Sequence, residues 1–353
     1  MARKTITFTF CGSPVIPNRG LTTEGKTKTG ADWVRMSLGV KSGTSTAFAS
    51  LYGMVRDTVR TMSADNKPIE FAWDDRNDPD VVEHVAGYRK FRTNLRSEET
   101  LSFVTEYDFI QYLQEALSDY EGDIVVRGTL DLRYDNKGKL RQDYNISSVW
   151  AANEKDVPGL TARADLYFAS KALDKSAVDD AHRMYLDSYV MQYVNKDEGT
   201  MFFPFPVVLL ADSPDENTKK KLAYNLTCIE HNKSTMQHML FDLQIVDGAD
   251  EIPFDESQLT PMQKQQIELG MKKLEDFRPA GSIRGQRVKE VRIVSPYCYG
   301  EFADGMVDSG IKGSEFEEMI YSPAADVPAE MLDKELVMPQ AKVPDPIEDD
   351  ELF

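Results

Sequence analysis

Near its start the chain alternates: Ile6, Phe8 and Phe10 are separated by threonines. In Asp32 to Lys41 the alternation is cleaner, with Val34, Met36, Leu38 and Val40 on one parity and Trp33, Arg35, Ser37 and Lys41 on the other. Successive side chains of a strand point to opposite sides, so the aliphatic set faces a core and leaves an indole beside two cations on the outer face. Such a face either stacks on flat rings and binds phosphate, or is an edge on which the indole covers an apolar patch. The period changes after Thr105-Glu-Tyr-Asp108, which resembles a capping box with Asp in the Glu position. Phe109, Leu113, Ala116 and Leu117 then recur at helical spacing and predict a helix over 106–118. Gly122 to Tyr134 returns to period two, with Ile124, Val126, Leu130, Leu132 and Tyr134 opposite Arg127 and Arg133. Asp135-Asn-Lys-Gly-Lys139 reads as a turn, and Leu140 to Trp150, with Leu140, Tyr144 and Ile146 on one parity, completes a long hairpin.

A polar stretch, Asn153 to Gly159, introduces a second unit. Met184 to Val194 and Met201 to Leu210 flank an Asn195 to Gly199 turn, and Leu222 to Ile229 and Met239 to Val246 are expected to be further strands. Thr260-Pro-Met-Gln263 carries an N-cap, a proline at the first helical position and a capping Gln, with Ile267, Met271 and Leu274 as the apolar face. Arg284 to Val294 is a strand again, Val288, Val291 and Ile293 standing among Arg287, Lys289 and Arg292. The second half therefore loosely repeats the first, which suits a chain of 353 residues as two domains, 1–152 and 153–303, mainly β with a few helices. From about Ile311 prolines and acids replace any period, and 304–353 is expected to be a disordered tail.

Charge sharpens this division. The chain carries a net −18, which by itself discourages a polyanionic partner, but residues 304–353 hold 14 acids and 3 bases, whereas residues 1–60 are net +6. A basic front and an acidic rear fit a protein whose one end meets a polyanion while the other stays off it. The rear closes on Asp345-Pro-Ile-Glu-Asp-Asp-Glu-Leu-Phe353, where Ile347, Leu352 and Phe353 can anchor a docking peptide and Glu348, Asp349, Asp350 and Glu351 can steer it; the plainer reading is a solubilising terminus. The longest apolar run, Met201 to Ala211, is broken by Pro204 and Pro206, and MARKTITFTF has no secretory pattern, so the expectation is a soluble cytoplasmic protein without a membrane partner. Cys11, Cys228 and Cys298 form no CxxC pair and read as free thiols.

Tyr88-Arg-Lys-Phe-Arg-Thr-Asn-Leu-Arg96 interleaves rings (Tyr88, Phe91) with cations (Arg89, Lys90, Arg92, Arg96), which suits stacking plus phosphate neutralisation, or else a solvated basic helix. Arg19, Lys26 and Lys28 belong to a Gly- and Lys-rich stretch that either clamps a ligand backbone or is a plain flexible hairpin. No phosphate-binding GxxxxGK[ST] or dinucleotide fingerprint occurs, and His84, His182, His231 and His238 sit in no nucleophile or zinc motif. Trp73-Asp-Asp-Arg-Asn-Asp-Pro-Asp80 with Glu83 and His84 could hold a divalent metal in a nuclease-like site, although its spacing also fits a solvated acidic turn.

The run from Phe109 to Trp150 resembles the OB-fold of single-stranded DNA-binding proteins: a short helix, the strand Glu121-Gly-Asp-Ile-Val-Val-Arg-Gly-Thr-Leu130, the turn Asp135-Asn-Lys-Gly138, and a strand with the cation Arg141. Upstream, Asp32-Trp-Val-Arg-Met-Ser-Leu38 is similar to the second strand of that family, and the acidic tip ending in Phe353 to its partner-binding tail, with Leu352 where a Pro is usual. The resemblance covers about a third of the chain. Residues 42–104 would form an insertion, and 153–303, absent from a single OB unit, a second β-rich, OB-like domain, as in tandem-OB binders from phage or eukaryotes. It implies a non-enzyme without cofactor that coats single-stranded DNA and recruits replication, recombination or repair proteins through its tail, in the host cytoplasm if phage-encoded. The implied DNA-binding set is Arg19, Lys26, Lys28, Trp33, Arg35, Lys41, Tyr88, Arg89, Lys90, Phe91, Arg92, Arg96, Arg127, Arg133, Lys137, Lys139 and Arg141; the partner-binding set is 347–353. Readings from other classes are a metal-dependent nuclease on single strands and a phage structural or assembly protein.

Overall fold

The computed structural model describes residues 6–322 apart from 136, 179–181, 212–215, 252–258, 273–276 and 278–283. In the first half the strands are β1 (Ile6–Val15), β2 (Thr22–Lys26), β3 (Asp32–Ser42) and β4 (Ser45–Met54). An excursion follows: β5 (Thr58–Met62), β6 (Pro68–Ala72), α1 (Pro79–His84), β7 (Phe91–Thr93) and β8 (Leu101–Phe103). Helix α2 (Glu106–Ala116) leads into β9 (Ile124–Tyr134) and β10 (Leu140–Ala151). The alternation in β3 works as its sequence requires, since Val34, Met36, Leu38 and Val40 are fully buried while Arg35 and Lys41 are exposed. Thr105 caps α2 by accepting from the Asp108 amide (3.2 Å), and Phe109, Ile110 and Leu113 bury its inner face.

Pairing closes a ring. β1 lies antiparallel to β3 and to β9, β3 to β4, and β9 to β10, and a parallel contact of Asn145 in β10 with Ser50 in β4 shuts the barrel. A five-stranded Greek-key barrel with a helix between its third and fourth strands is the OB-fold. β4 corrects one expectation: it is the third barrel strand, so the insertion is confined to residues 55–104 rather than 42–104. Its inward positions, Ala47, Ala49, Leu51 and Gly53, are mostly too small to read as a hydrophobic stripe. At the bulge in β10 by Ile146, Gly128 is required, because a Cβ there would stand 1.8 Å from the Asn145 carbonyl oxygen.

The second half repeats the ring. Its strands are β11 (Gly159–Phe168), β12 (Leu173–Asp174), β13 (Arg183–Leu186), β14 (Tyr189–Asn195), β15 (Gly199–Pro204) and β16 (Val207–Leu210), then helix α3 (Glu216–Thr227) and β17 (Thr235–Glu251). After α4 (Pro261–Glu268) come β18 (Arg284–Pro296), β19 (Val307–Lys312) and α5 (Gly313–Glu318). β11 pairs with β14 and β17, β17 with β18, β14 with β15 and β13 with β16; β16 meets β18 in parallel at Val208 and Arg292, again between third and fifth positions. Both halves are therefore OB-type barrels, with α2 and α3 in matching places.

Three readings of this half change. Leu222 to Ile229 is not a strand: Leu222, Leu226 and Ile229 recur at helical spacing and belong to α3 and the turn after it. The capping box at Thr260 is present, but α4 stops at Glu268 and buries none of its residues, Met271 beyond it being exposed; Leu274 lies outside the described residues. Residues 304–322, read as the start of a tail, are folded. β19 pairs with β17, and Phe316 packs against Tyr167, Met191 and Phe202. Val307, Ser309 and Ile311 alternate with exposed neighbours, a half-buried edge strand whose apolar signal is weak. The rest of that tail, 323–353, lies outside the described residues.

The barrels are joined edge to edge. The edge of β1 not used by β9 pairs with β11 from Thr7 to Cys11 before passing to β3. The tip of the β3–β4 hairpin meets β17 at Ser45 and Gly248, where a Cβ would come 2.1 Å from the Thr44 carbonyl oxygen. Gln192 supplies the missing neighbour of β9, accepting from the Leu132 amide and donating to its carbonyl, each at 2.8 Å. One apolar core runs through both barrels, from Phe8, Phe10 and Val126 to Leu166, Phe203 and Phe241. No described helix is long and apolar enough to cross a membrane.

Candidate nucleic-acid interface

Register fixes the outer face of the first barrel. Across β3 and β4 the outward pairs are Trp33 with Met54, Arg35 with Tyr52, Ser37 with Ser50, and Lys41 with Thr46. The Trp33 and Tyr52 rings stack with centroids 6.0 Å apart, and Trp33 rests on Gly25 of β2, whose missing side chain leaves room for the indole. Tyr52 is 50% exposed and Phe48, on the same face, 47%. Tyr52, stacked on Trp33 and open to solvent beside the Arg35 guanidinium, which has no ion pair among the described residues, offers what a stacked base and its phosphate require.

Beyond Tyr52 the face runs into a cleft of about 590 Å³ between the barrel and the excursion 55–104. Tyr52, Trp73, Tyr88 and Phe91 line it with Arg56, Arg60, Arg89 and Lys90, and Thr129, Asp131, Asn145 and Ser147 of β9 and β10 form its floor. The rings are not equivalent. Phe91 is stacked on Phe109 in the core (5.5 Å), and Trp73 carries the Arg76 guanidinium (4.4 Å), which also binds Asp108. Tyr88 is 66% exposed, its hydroxyl donating to Asn66 Oδ1 (2.8 Å) and its ring lying beneath Arg89 (5.5 Å). Arg60 pairs with Glu70 across β5 and β6 (3.1 Å). The 88–96 segment is a 3₁₀ turn and a short strand, not a basic helix.

The structure thus gathers Trp33, Arg35, Tyr88, Arg89, Lys90 and Phe91 around Tyr52, whereas Lys41, opposite Thr46 near the β3–β4 turn, stands at the other end of the hairpin. The other expected DNA-binding residues lie apart from that cluster. Arg19 and Lys28 are exposed in loops, and Lys26 is paired with Asp32 (2.7 Å). Arg92 donates to the Gly87 carbonyl (3.1 Å) and does not line the cleft. Arg96 caps the end of α2 at the Ala116 carbonyl and pairs with Asp119. Arg133 is engaged by Asp143 and Arg141 by Asp135; amides of Lys139 and Lys137, then Arg141, hold the Asp135 carboxyl below its usual range. Arg127, Lys137 and Lys139 are exposed on the same hairpin. Residues 347–353 lie outside the described residues.

Tyr52, Phe48, Arg56 and Arg60 were not found from sequence, although Phe48 and Tyr52 share the parity opposite Ala47, Ala49 and Leu51. Among the described residues no three acidic, His or Cys side chains converge as a metal site. In the 73–84 segment Asp78 instead caps α1, accepting from the Asp80 amide, and His84 Nδ1 donates to the Asp80 carbonyl (2.6 Å).

The chain is thus a tandem-OB protein with an aromatic and cationic face on its first barrel. No family model and no curated protein matches it. Among solved structures it is similar to the wild-type single-stranded DNA binding protein from Thermus aquaticus (TM-score 0.30, 10% identity, 70% of this chain and 87% of that one). It is also similar to a deletion mutant of that protein (TM-score 0.29, 11% identity, 74% and 99%). At that level of likeness the fold assignment rests on the strand pairing alone.

Proposed function

We propose that this chain binds single-stranded DNA without strong sequence preference, as a non-enzyme that uses no cofactor, and that its first barrel with the 55–104 excursion is the binding module. One observation carries the reading: the Trp33–Tyr52 stack, beside Arg35, opens directly into a cleft bordered by Arg56, Arg89 and Lys90. Rings accept any base on their faces, and cations at their margins neutralise phosphates, which gives affinity with little readout of sequence. The acidic segment 345–353, with Leu352 and Phe353, is the proposed docking element for replication, recombination or repair proteins.

Fluorescence anisotropy with labelled oligothymidine, a mixed-sequence single strand, the matching duplex and an RNA strand tests this. Expected are similar affinities for the two DNA single strands, much weaker duplex binding, and a steep fall with added salt. Preference for duplex, or no salt-sensitive binding, refutes it.

A further inference from the structure

Tyr224 in the last turn of α3 and Cys228, the residue just after it, are four apart, so both side chains leave on one face. That face looks toward the end of β18. Asn225 Nδ2 donates to the Val294 carbonyl (3.4 Å), and just past the strand Cys298 Sγ lies 3.2 Å from the Tyr224 hydroxyl. The Cys228 amide donates back to the Tyr224 carbonyl (3.2 Å), which keeps the two residues one helical turn apart. The phenolic oxygen of Tyr224 therefore touches the Cys298 sulfur while Cys228 follows one helical turn later on the same side, with Cys298 exposed and Cys228 buried. Cys11, the third thiol, is buried in β1.

We propose that Cys228 and Cys298 form a peroxide-responsive dithiol that closes to a disulfide linking α3 to the end of β18. The Cys298 thiolate attacks one oxygen of hydrogen peroxide; the O–O bond breaks, water leaves after taking up a proton, and the sulfur becomes a sulfenic acid. Cys228 then gives up its proton and attacks that sulfur. The S–S bond forms, the S–O bond breaks, and the departing hydroxide takes the proton as a second water. In total two thiols are oxidised and one peroxide is reduced to two waters.

Exposure assigns the roles: only Cys298 meets an oxidant from solvent, and Cys228 is the resolving thiol. Burial pushes the Cys228 thiol up, so it stays protonated and unreactive toward solvent oxidants. The Tyr224 hydroxyl is held neutral chiefly by its bond to Cys298 and can donate to that sulfur as a thiolate. Cys298 stands between Pro296, the last residue of β18, and the 3₁₀ turn at Gly300, where the backbone can adapt to disulfide spacing.

The test is hydrogen peroxide treatment of the full chain, alkylation of remaining thiols, and intact-mass and peptide-mass analysis. Expected are a loss of two hydrogens, a 228–298 linked peptide in most molecules, and full reversal by dithiothreitol. Cys11→Ser should behave the same, and Cys298→Ser should give no link. Cys228→Ser, with Cys228→Ala as the alternative should the serine impair folding, should leave a sulfenic acid at position 298 that dimedone traps. A wild-type chain that gains oxygen at Cys298, or links between molecules, without the 228–298 peptide overturns the proposal.

Discussion

At the scale of single residues the candidate interface depends on side chains placed by parity. Trp33 and Arg35 sit opposite four fully buried aliphatics, so removing both deletes a ring and a cation without opening the core. Trp33→Ala with Arg35→Ala should weaken oligothymidine binding about tenfold or more, since one stacked ring is worth roughly 1–3 kcal/mol per base, while leaving the melting temperature nearly unchanged. Anisotropy and a thermal melt on the same sample decide it; unaltered affinity removes these residues from the interface. Tyr52→Ala should have an effect of similar size, because that ring joins the Trp33 stack to the cleft. Trp33 was legible in the sequence because β3 buries large aliphatics on alternate positions. Tyr52 was not, because the barrel interior at β4 is filled by Ala47 and Ala49, and small residues give no hydrophobic contrast from which to read an outer face.

At the scale of elements, the excursion 55–104 converts an open barrel face into a cleft, and its cations divide by direction. Arg89→Glu with Lys90→Glu should flatten the slope of log affinity against log salt by about 0.7 for each phosphate left without its cation, whereas Arg92→Glu, outside the cleft, should change it much less. A salt titration of both variants beside the unaltered chain separates them; equal slopes would make the segment a solvated surface. The elements that sequence misassigned share a physical cause. α3 carries three consecutive lysines before Leu222, and its few apolar positions touch β18 on a narrow stripe that a short window reads equally as strand. The edge strand β19 draws its stability from pairing with β17 and from Phe316 packing behind it, tertiary support that composition does not reveal. The long β9–β10 hairpin and α2 were legible because turn chemistry at Asp135, the cap at Thr105 and periodicity all agree.

At the scale of the whole molecule the two barrels act as one body, tied by β1 to β11, by β4 to β17, and by Gln192 of β14 to Leu132 of β9. Thermal or denaturant unfolding is expected to show one cooperative transition rather than two, and Gly248→Val, which forces a Cβ against the Thr44 backbone, should lower its midpoint by several degrees. Calorimetry that resolves two independent transitions contradicts this. Deleting residues 345–353 should leave single-strand affinity equal or tighter at low salt, with the difference fading as ions screen the charges, and should abolish partner association in a pull-down. Phe353→Ala should reproduce only the second effect; weakened DNA binding with partners retained would place that segment in the DNA site. The pairing of Thr7 through Cys11 with β11 also bears on synthesis and dissection. A ribosome emits β1 long before its second neighbour exists, and a fragment ending near residue 152 keeps that edge bare for good. Its unpaired amides and carbonyls then form a ready template for the same edge of another copy, so the isolated first half should associate through strand addition where the intact chain does not.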